Sequence, residues 1–352
     1  MRYKTPVIKQ NQPNDEYKFR ALPQPTGKYP YHLDIGDVIN AGFNDRMIFH
    51  LVGDTGGSIA PEARQNIVKR MTGRLDGPSF LYHLGDIVYH YGEADQYESQ
   101  FFKSFEDYPG PIFAIAGNHD SDVNPDAKVP YQSLDAFKSV FCDTVSKRVS
   151  FSGDSKRQSM IQPNVYWTLE TPLATFIGMY SNVPKFGIIT PDQQQWLRNE
   201  LLSASSDKFL IICLHHAPYS ADTNHGSSLP MIKELNDAFT ETGVLPDVVF
   251  SGHVHNYQRF EKVFENNKAV PFIVAGGGGF NELHSIATLD DNRFTALNEN
   301  KVTLQAFNES AHGFLKIDIQ KKDGQLTLSG EYYAMDHVLK PFDVFNLSKS
   351  VG

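Results

Sequence analysis

From Met47 onward the apolar positions of this chain fall into short runs closed by glycine. "MIFHLVG", "SFLYHLG" and "PIFAIAG" are runs of this kind, the pattern of strands buried on both faces. Between them "PEARQNIVKRM" and "YESQFFKSFED" carry their apolar residues at helical spacing, and Pro61 suits a first helical turn. Strand, helix and strand in alternation predict an α/β domain with parallel strand pairs. "VYWTLE" and "LATFIGMY" read as two strands parted by Thr171-Pro172. "TPDQQQWLRNELL" is a helix with its start written out: Thr190 as N-cap, Pro191 in the first turn, Gln193 closing a capping box. "FLIICL", "DVVFSG" and "PFIVAG" are further buried strands. "GFLKIDIQ" and "QLTLSGEYY" alternate as a closing antiparallel hairpin, turning at Asp323-Gly324.

The remaining stretches lack periodicity. Residues 1–45 are rich in Pro, Gln and Asn and read as an extension packed on the main body. Thr144 to Asn164 and Asn281 to Ala311 read as irregular excursions. The catalytic domain is expected over 46–340, with 341–352 as a tail.

Composition narrows the class. The 352 residues carry a formal charge of -9, without the basic stripe of a nucleic-acid binder. No apolar run is long enough to cross a membrane, and the N-terminal residues lack the apolar stretch of a secretory signal, which favours a cytoplasmic location. The two cysteines, Cys142 and Cys213, read as free thiols.

The chemistry lies where the strands end. "VGDTGG" gives Asp54, "LGDIVY" Asp86, "AGNHD" Asn118 and His119, and "SGHVH" His253 and His255. Ligands of open α/β sheets collect beyond the C-terminal ends of strands, so this series predicts one site built from distant residues. Carboxylate, amide, phenolate and imidazole without thiolate suit iron, zinc or manganese. They are too many for one tetrahedral zinc and suit two metals sharing a carboxylate, as in phosphate-ester hydrolysis.

In this order, "GDTGG", "GDIVY", "GNHD", "HHAP" and "GHVH" resemble the calcineurin-like metallophosphoesterases, and among them the purple acid phosphatase branch, from about Met47 to Phe280. Most relatives carry a histidine where this chain has Gly56; the purple branch supplies a tyrosine, here Tyr89. The resemblance implies a four-layer α/β/β/α sandwich of two mixed sheets flanked by helices. It implies Asp54, Asp86, Tyr89 and His255 around Fe(III). Asp86 would bridge to a divalent Fe, Zn or Mn held by Asn118, His216 and His253. His119 and His225 would be the catalytic residues beside the substrate, and His215, next to His216, would turn away from the metals. The implied activity is an acid phosphatase on phosphomonoesters, by attack of a metal-bound hydroxide. The alternatives are a phosphodiesterase or phosphoprotein phosphatase using the same site, and a non-catalytic metal-binding module. Expected partners are phosphorylated small molecules or phosphoproteins, with neither nucleic acid nor membrane. His50 and His83, inside strands, read as core histidines, and Gly276 to Gly279 as backbone passing close to the metals.

Overall fold

The computed structural model describes residues 1–11, 20–39, 42–43, 45–59, 61–73, 77–181, 187–297, 301–337 and 340–351. Parts of the expected N-terminal extension therefore lie outside the described residues.

Two mixed sheets pack face to face. The first has six strands in spatial order β16 (Asp343–Ser350), β15 (Gln325–Ala334), β14 (Gly313–Lys322), β3 (Arg46–Val52), β4 (Phe80–His83) and β5 (Ile112–Ala114). The second has eight: β13 (Val302–Asn308), β10 (Tyr257–Val263), β11 (Ala269–Ala275), β9 (Val248–Ser251), β8 (Phe209–Leu214), β7 (Ala174–Gly178), β6 (Trp167–Glu170) and β2 (His32–Asp34). A small pair joins β1 (Val7–Lys9) to β12 (Phe294–Ala296). The strands that lead to the predicted site run parallel to one another: β3, β4 and β5 in one sheet, β7, β8, β9 and β11 in the other.

Alternation along each strand sorts its side chains between two cores. Phe49, Leu51, Phe80 and Tyr82 of the first sheet meet Phe176, Phe209, Ile211, Cys213 and Phe250 of the second. The other faces are covered by helices. Ile67, Val68 and Met71 of α1 (Pro61–Thr72) join Val52 and Leu81 in the outer core; Trp196 and Leu197 of one helix and Met231 and Leu235 of another join Leu210, Ile212 and Leu214. The layers therefore run helix, sheet, sheet, helix, the sandwich expected from the sequence.

Several local expectations hold. Lys322 faces Gln325 across the hairpin, with Asp323 and Gly324 both at positive φ, as a primed turn requires. Thr190 accepts the Gln193 amide as N-cap. The reciprocal half of the capping box is absent: the Gln193 side chain instead grips both backbone groups of Tyr180. Two other expectations change. Residues Asp343–Ser350, read as tail, form an edge strand on β15. The stretch from Asn281 to Ala311 contains β12 and the seven-residue β13. Both edge strands bury few side chains, so their sequences carry little of the apolar alternation that marks a strand.

Candidate metal centre

The strand ends of both sheets meet at one buried cluster. Asp54 follows β3, Asp86 follows β4, and His253 follows β9, all three with positive φ of 59°, 54° and 68°. Non-glycine residues in this region are strained and persist where the surroundings impose them, commonly at functional sites.

Four groups converge on one side. The Tyr89 hydroxyl lies 2.9 Å from Asp86 Oδ2, 3.2 Å from Asp54 Oδ1 and 3.1 Å from His255 Nε2. Gly56 makes this possible: a Cβ there would stand 2.5 Å from Tyr89 Cδ2. The missing histidine and the present tyrosine are thus one steric exchange. The segment is held from behind by Gln100, whose side chain bonds the Tyr89 amide, the Tyr89 carbonyl and the Gly57 amide. Burial, and then the Asp86 and Asp54 carboxylates, push the Tyr89 phenol well above its ordinary pKa. Only a strong cation would make it a phenolate.

On the other side, Asn118 Oδ1 lies 2.9 Å from His253 Nδ1 and 3.1 Å from His215 Nε2, and His215 Nε2 is 3.3 Å from Asp86 Oδ2. His215, not His216, holds the place that the sequence register gave to His216. The reason is strand parity. Phe209, Ile211 and Cys213 of β8 face the core between the sheets, so His215 continues toward Leu84, Gly85 and Asp86. His216 follows Leu210, Ile212 and Leu214 to the helix-covered side, where its Nδ1 meets the Ser181 hydroxyl.

The donor set fits a metal pair. His215 Nδ1 is 2.8 Å from the Leu84 carbonyl, and His255 Nδ1 is 3.2 Å from the Glu282 carbonyl. A carbonyl only accepts, so each ring keeps its proton on Nδ1 and turns the lone pair of Nε2 to the site. For His215 that lone pair faces two oxygen acceptors, an arrangement that needs a proton or a cation between them. Burial lowers the His215 pKa, yet Asp86 and Asp54 lift it to about 9. Asp54 is pushed up to about 8 by burial, opposed by His215 and reinforced by Asp86. Burial also raises Asp86, but His215 and then His119 outweigh it and hold this carboxyl well below the usual range. The cluster has too much negative charge for its burial, and a metal would balance it. Close backbone approach leaves the room: a Cβ on Gly117 would meet Asp86 Oδ1 at 2.1 Å, and one on Gly276 would meet Asp54 Oδ2 at 2.8 Å.

Around these donor atoms a cleft of about 190 Å³ opens, lined among others by Asp86, Tyr89, His119, His225, His253 and His255. The His119 amide donates to Asp86 Oδ1, its Nδ1 lies 2.8 Å from the His90 carbonyl, and its ring leans on Tyr89 at 4.2 Å. His225 packs on His253 with ring centroids 4.0 Å apart. Both predicted catalytic histidines thus line the cleft. His50 meets the Tyr108 hydroxyl and His83 the Thr55 hydroxyl, so both are satisfied inside the fold. Sequence reasoning missed Gln100, Phe280, Glu282 and His284. It also missed Asp120, whose carboxylate accepts the amides of Ile87, Val88 and Gly117 and ties the two strand ends together. Asp120 stands in "GNHD" and was the most findable of these; the others have no local mark.

Residues 47–257 match the family model described as calcineurin-like phosphoesterase. The chain belongs to the calcineurin-like phosphoesterase family. Within it, tartrate-resistant acid phosphatase type 5 of Rattus norvegicus is 25% identical over 257 residues, covering 66% of this chain and 72% of the relative. The Fe(3+)-Zn(2+) purple acid phosphatase 12 of Arabidopsis thaliana is 26% identical over 300 residues, covering 76% of this chain and 56% of that protein. The solved structure of a purple acid phosphatase from yellow lupin seeds superposes with a TM-score of 0.62 at 19% identity, over 87% of this chain and 54% of that one. That likeness establishes the same sandwich fold. Among the described residues of this phosphoesterase, no helix is long and apolar enough to cross a membrane.

Proposed function

We propose that this phosphoesterase is an acid phosphatase of the purple type, hydrolysing phosphate monoesters at a centre of Fe(III) and a divalent ion. The observation that carries this reading is the convergence of seven donors from both sheets in two overlapping sets. Asp54, Asp86, Tyr89 and His255 suit the ferric ion; Asp86, Asn118, His215 and His253 suit the divalent one. When bound, such a pair polarises phosphoryl oxygens and lowers the pKa of water. The relatives named above, one of them called an Fe(3+)-Zn(2+) enzyme, support the metal types.

The chain's own residues supply the rest. His119 is fixed by its amide on Asp86 and by Nδ1 at the His90 carbonyl. In its charged form it keeps Nε2–H for the leaving ester oxygen. His225 stands on the His253 side of the cleft and would face a phosphoryl group bound there. Tyr89 and Phe280, with ring centroids 4.2 Å apart, wall the ferric side against water.

Metal analysis and aryl phosphate turnover of the histidine variants test this reading. His215→Ala should lose the divalent metal and cut turnover by roughly a hundredfold, the upper end of the usual loss even for residues that only support a ligand. His216→Ala should keep both metals. The reverse result would restore the register read from the sequence. A metal-loaded wild-type protein without turnover on any phosphate ester would remove the enzymatic reading.

A further inference from the structure

The loop after β3 is held by a charge that none of the motifs describes. Arg64, in the first turn of α1, lies behind this loop and is only 1% exposed. Its Nη1 donates to the Thr55 carbonyl at 2.7 Å and to the Gly57 carbonyl at 3.0 Å, so one nitrogen bonds on both sides of Gly56. Nε donates to the Ser104 hydroxyl at 2.8 Å, and Nη2 points to the Ser99 carbonyl at 3.5 Å. Ser99 belongs to the π-helical turn Glu98–Phe102, which also carries Gln100 with its hold on Tyr89 and Gly57. A third segment closes over the helix: a Cβ on Gly279 would stand 2.9 Å from the Arg64 Cα. The next residue, Phe280, donates its amide to the Asp54 carbonyl and packs its ring on Tyr89. Arg64 thus sits where three segments that surround the Tyr89 ring come together.

Stability alone is a poor reason for this residue. Burial lowers its pKa to about 10, so the guanidinium stays charged near neutral pH. The oxygens it bonds, two carbonyls and a hydroxyl, are neutral. Desolvating a charge offsets most of what its bonds gain. What a guanidinium offers is geometry: its planar fork holds several acceptors at fixed angles, which a single ammonium does not. The loop needs such a hold. Its Asp54 and Gly56 amides bond the Gly85 and Asp86 carbonyls at the end of β4, while its Thr55 and Gly57 carbonyls turn the other way, to Arg64. The loop is therefore pinned from both sides at the point where Gly56 touches the Tyr89 ring.

We propose that Arg64 is a positioning residue for the ferric side of the centre. By pinning Thr55 and Gly57 around Gly56, it fixes the surface on which the Tyr89 ring rests, and so the place of the Tyr89 hydroxyl between Asp54 and Asp86. The proposal rests on the reading of Tyr89 as a ligand of Fe(III).

The test compares iron- and zinc-loaded wild-type protein with Arg64→Lys, which keeps a charge and gives up the fork. The readouts are the visible band of the iron-bound phenolate and the affinity for each metal, measured by competition with a chelator. Arg64→Lys should keep both metals, shift the band, and hold the ferric ion about tenfold more weakly, the lower end of the loss for residues that support a ligand. Affinity for the divalent ion should be unchanged, since the surface of Gly56 meets Tyr89, Ile87 and Val88 rather than His215 or His253. General loosening of the fold would instead weaken both metals alike and leave the band of the loaded protein in place; that result overturns the proposal. Ser104→Ala, which removes only the partner of Nε, should shift the band the same way by less. If Arg64→Lys does not fold, the Ser104→Ala band decides alone, and an unmoved band with both metals bound overturns the proposal. A coloured wild-type protein that binds both metals but hydrolyses no ester would sink the phosphatase reading and leave Arg64 in its role. A colourless iron-loaded wild-type protein would remove the ferric tyrosine and the role of Arg64 together.

Discussion

Gly56 and Tyr89 act as one unit. The ring occupies the space that any side chain at position 56 would need. Gly56→Ala should therefore displace the phenol and destabilise the chain by about 1–3 kcal/mol, the usual cost of overpacking. A phenolate bound to ferric iron absorbs visible light, so iron-loaded Gly56→Ala should show a shifted or lost band, and Tyr89→Phe should be colourless. A visible spectrum of each variant checks this, and a band that survives Tyr89→Phe would exclude the tyrosine as a ligand. The exchange was legible in the sequence because both departures occur at fixed motif positions. The choice between His215 and His216 was not. Every residue of "FLIICL" is buried, so the run carries no polar face from which to read parity. Only the partition of β8 between the two cores decides it. His284 and Asp222 were illegible for a different reason: they stand 3.3 Å apart but far from each other in the chain, and neither sits in a motif.

The elements that flank the site are held by polar pairs the pattern could not announce. His32 on β2 places Nε2 2.7 Å from Glu200 on the helix Pro191–Ser203, and Glu200 also accepts the Thr168 hydroxyl. The hydrogen bond to Glu200 raises the His32 pKa against the opposing effect of burial. A raised histidine adds stability that is fully present below its unfolded pKa of about 6.5 and is lost as pH rises through the folded value. His32→Asn should thus destabilise at pH 5.5, by about 1 kcal/mol, discounted because the histidine ring itself is partly exposed to solvent. At pH 9 it should make little difference. Thermal melts at the two pH values check the sign; an equal loss at both would show that the ring acts by packing alone. The sequence disclosed the helix and its Thr190 cap but not this tether, because β2 is a three-residue edge strand without periodicity.

At the scale of the molecule, the metal-free site is a charge problem at the seam of two sheets. Asp54, Asp86 and Asn118 come from one sheet and His215, His253 and His255 from the other. Burial lifts Asp54 to about 8 against a free value of about 4, so without metal it adds stability at low pH that is lost as pH rises through about 8. Metal loading should raise the melting temperature, and by more at pH 8 than at pH 5. Stabilisation reaches ~4 kcal/mol with free metal at a thousand times its dissociation constant. Calorimetric melts with and without chelator at both pH values test this. A larger metal effect at pH 5 would contradict the placement of Asp54 in the centre. The sandwich itself was largely legible, since buried parallel strands ending in glycine and a metal-capable side chain dictate both layers and site. The edges were not, because edge strands are written in polar residues.

The first strand gives this arrangement a consequence beyond the site. Lys9 and Val7 bond the loop that carries His225, and Tyr3 and Arg2 reach the connection that carries His284. Substitutions there would look neutral on any map of distance from the metals. A substitution at Val7 or Lys9 that loosens this brace should appear as a change in substrate affinity while metal content stays the same.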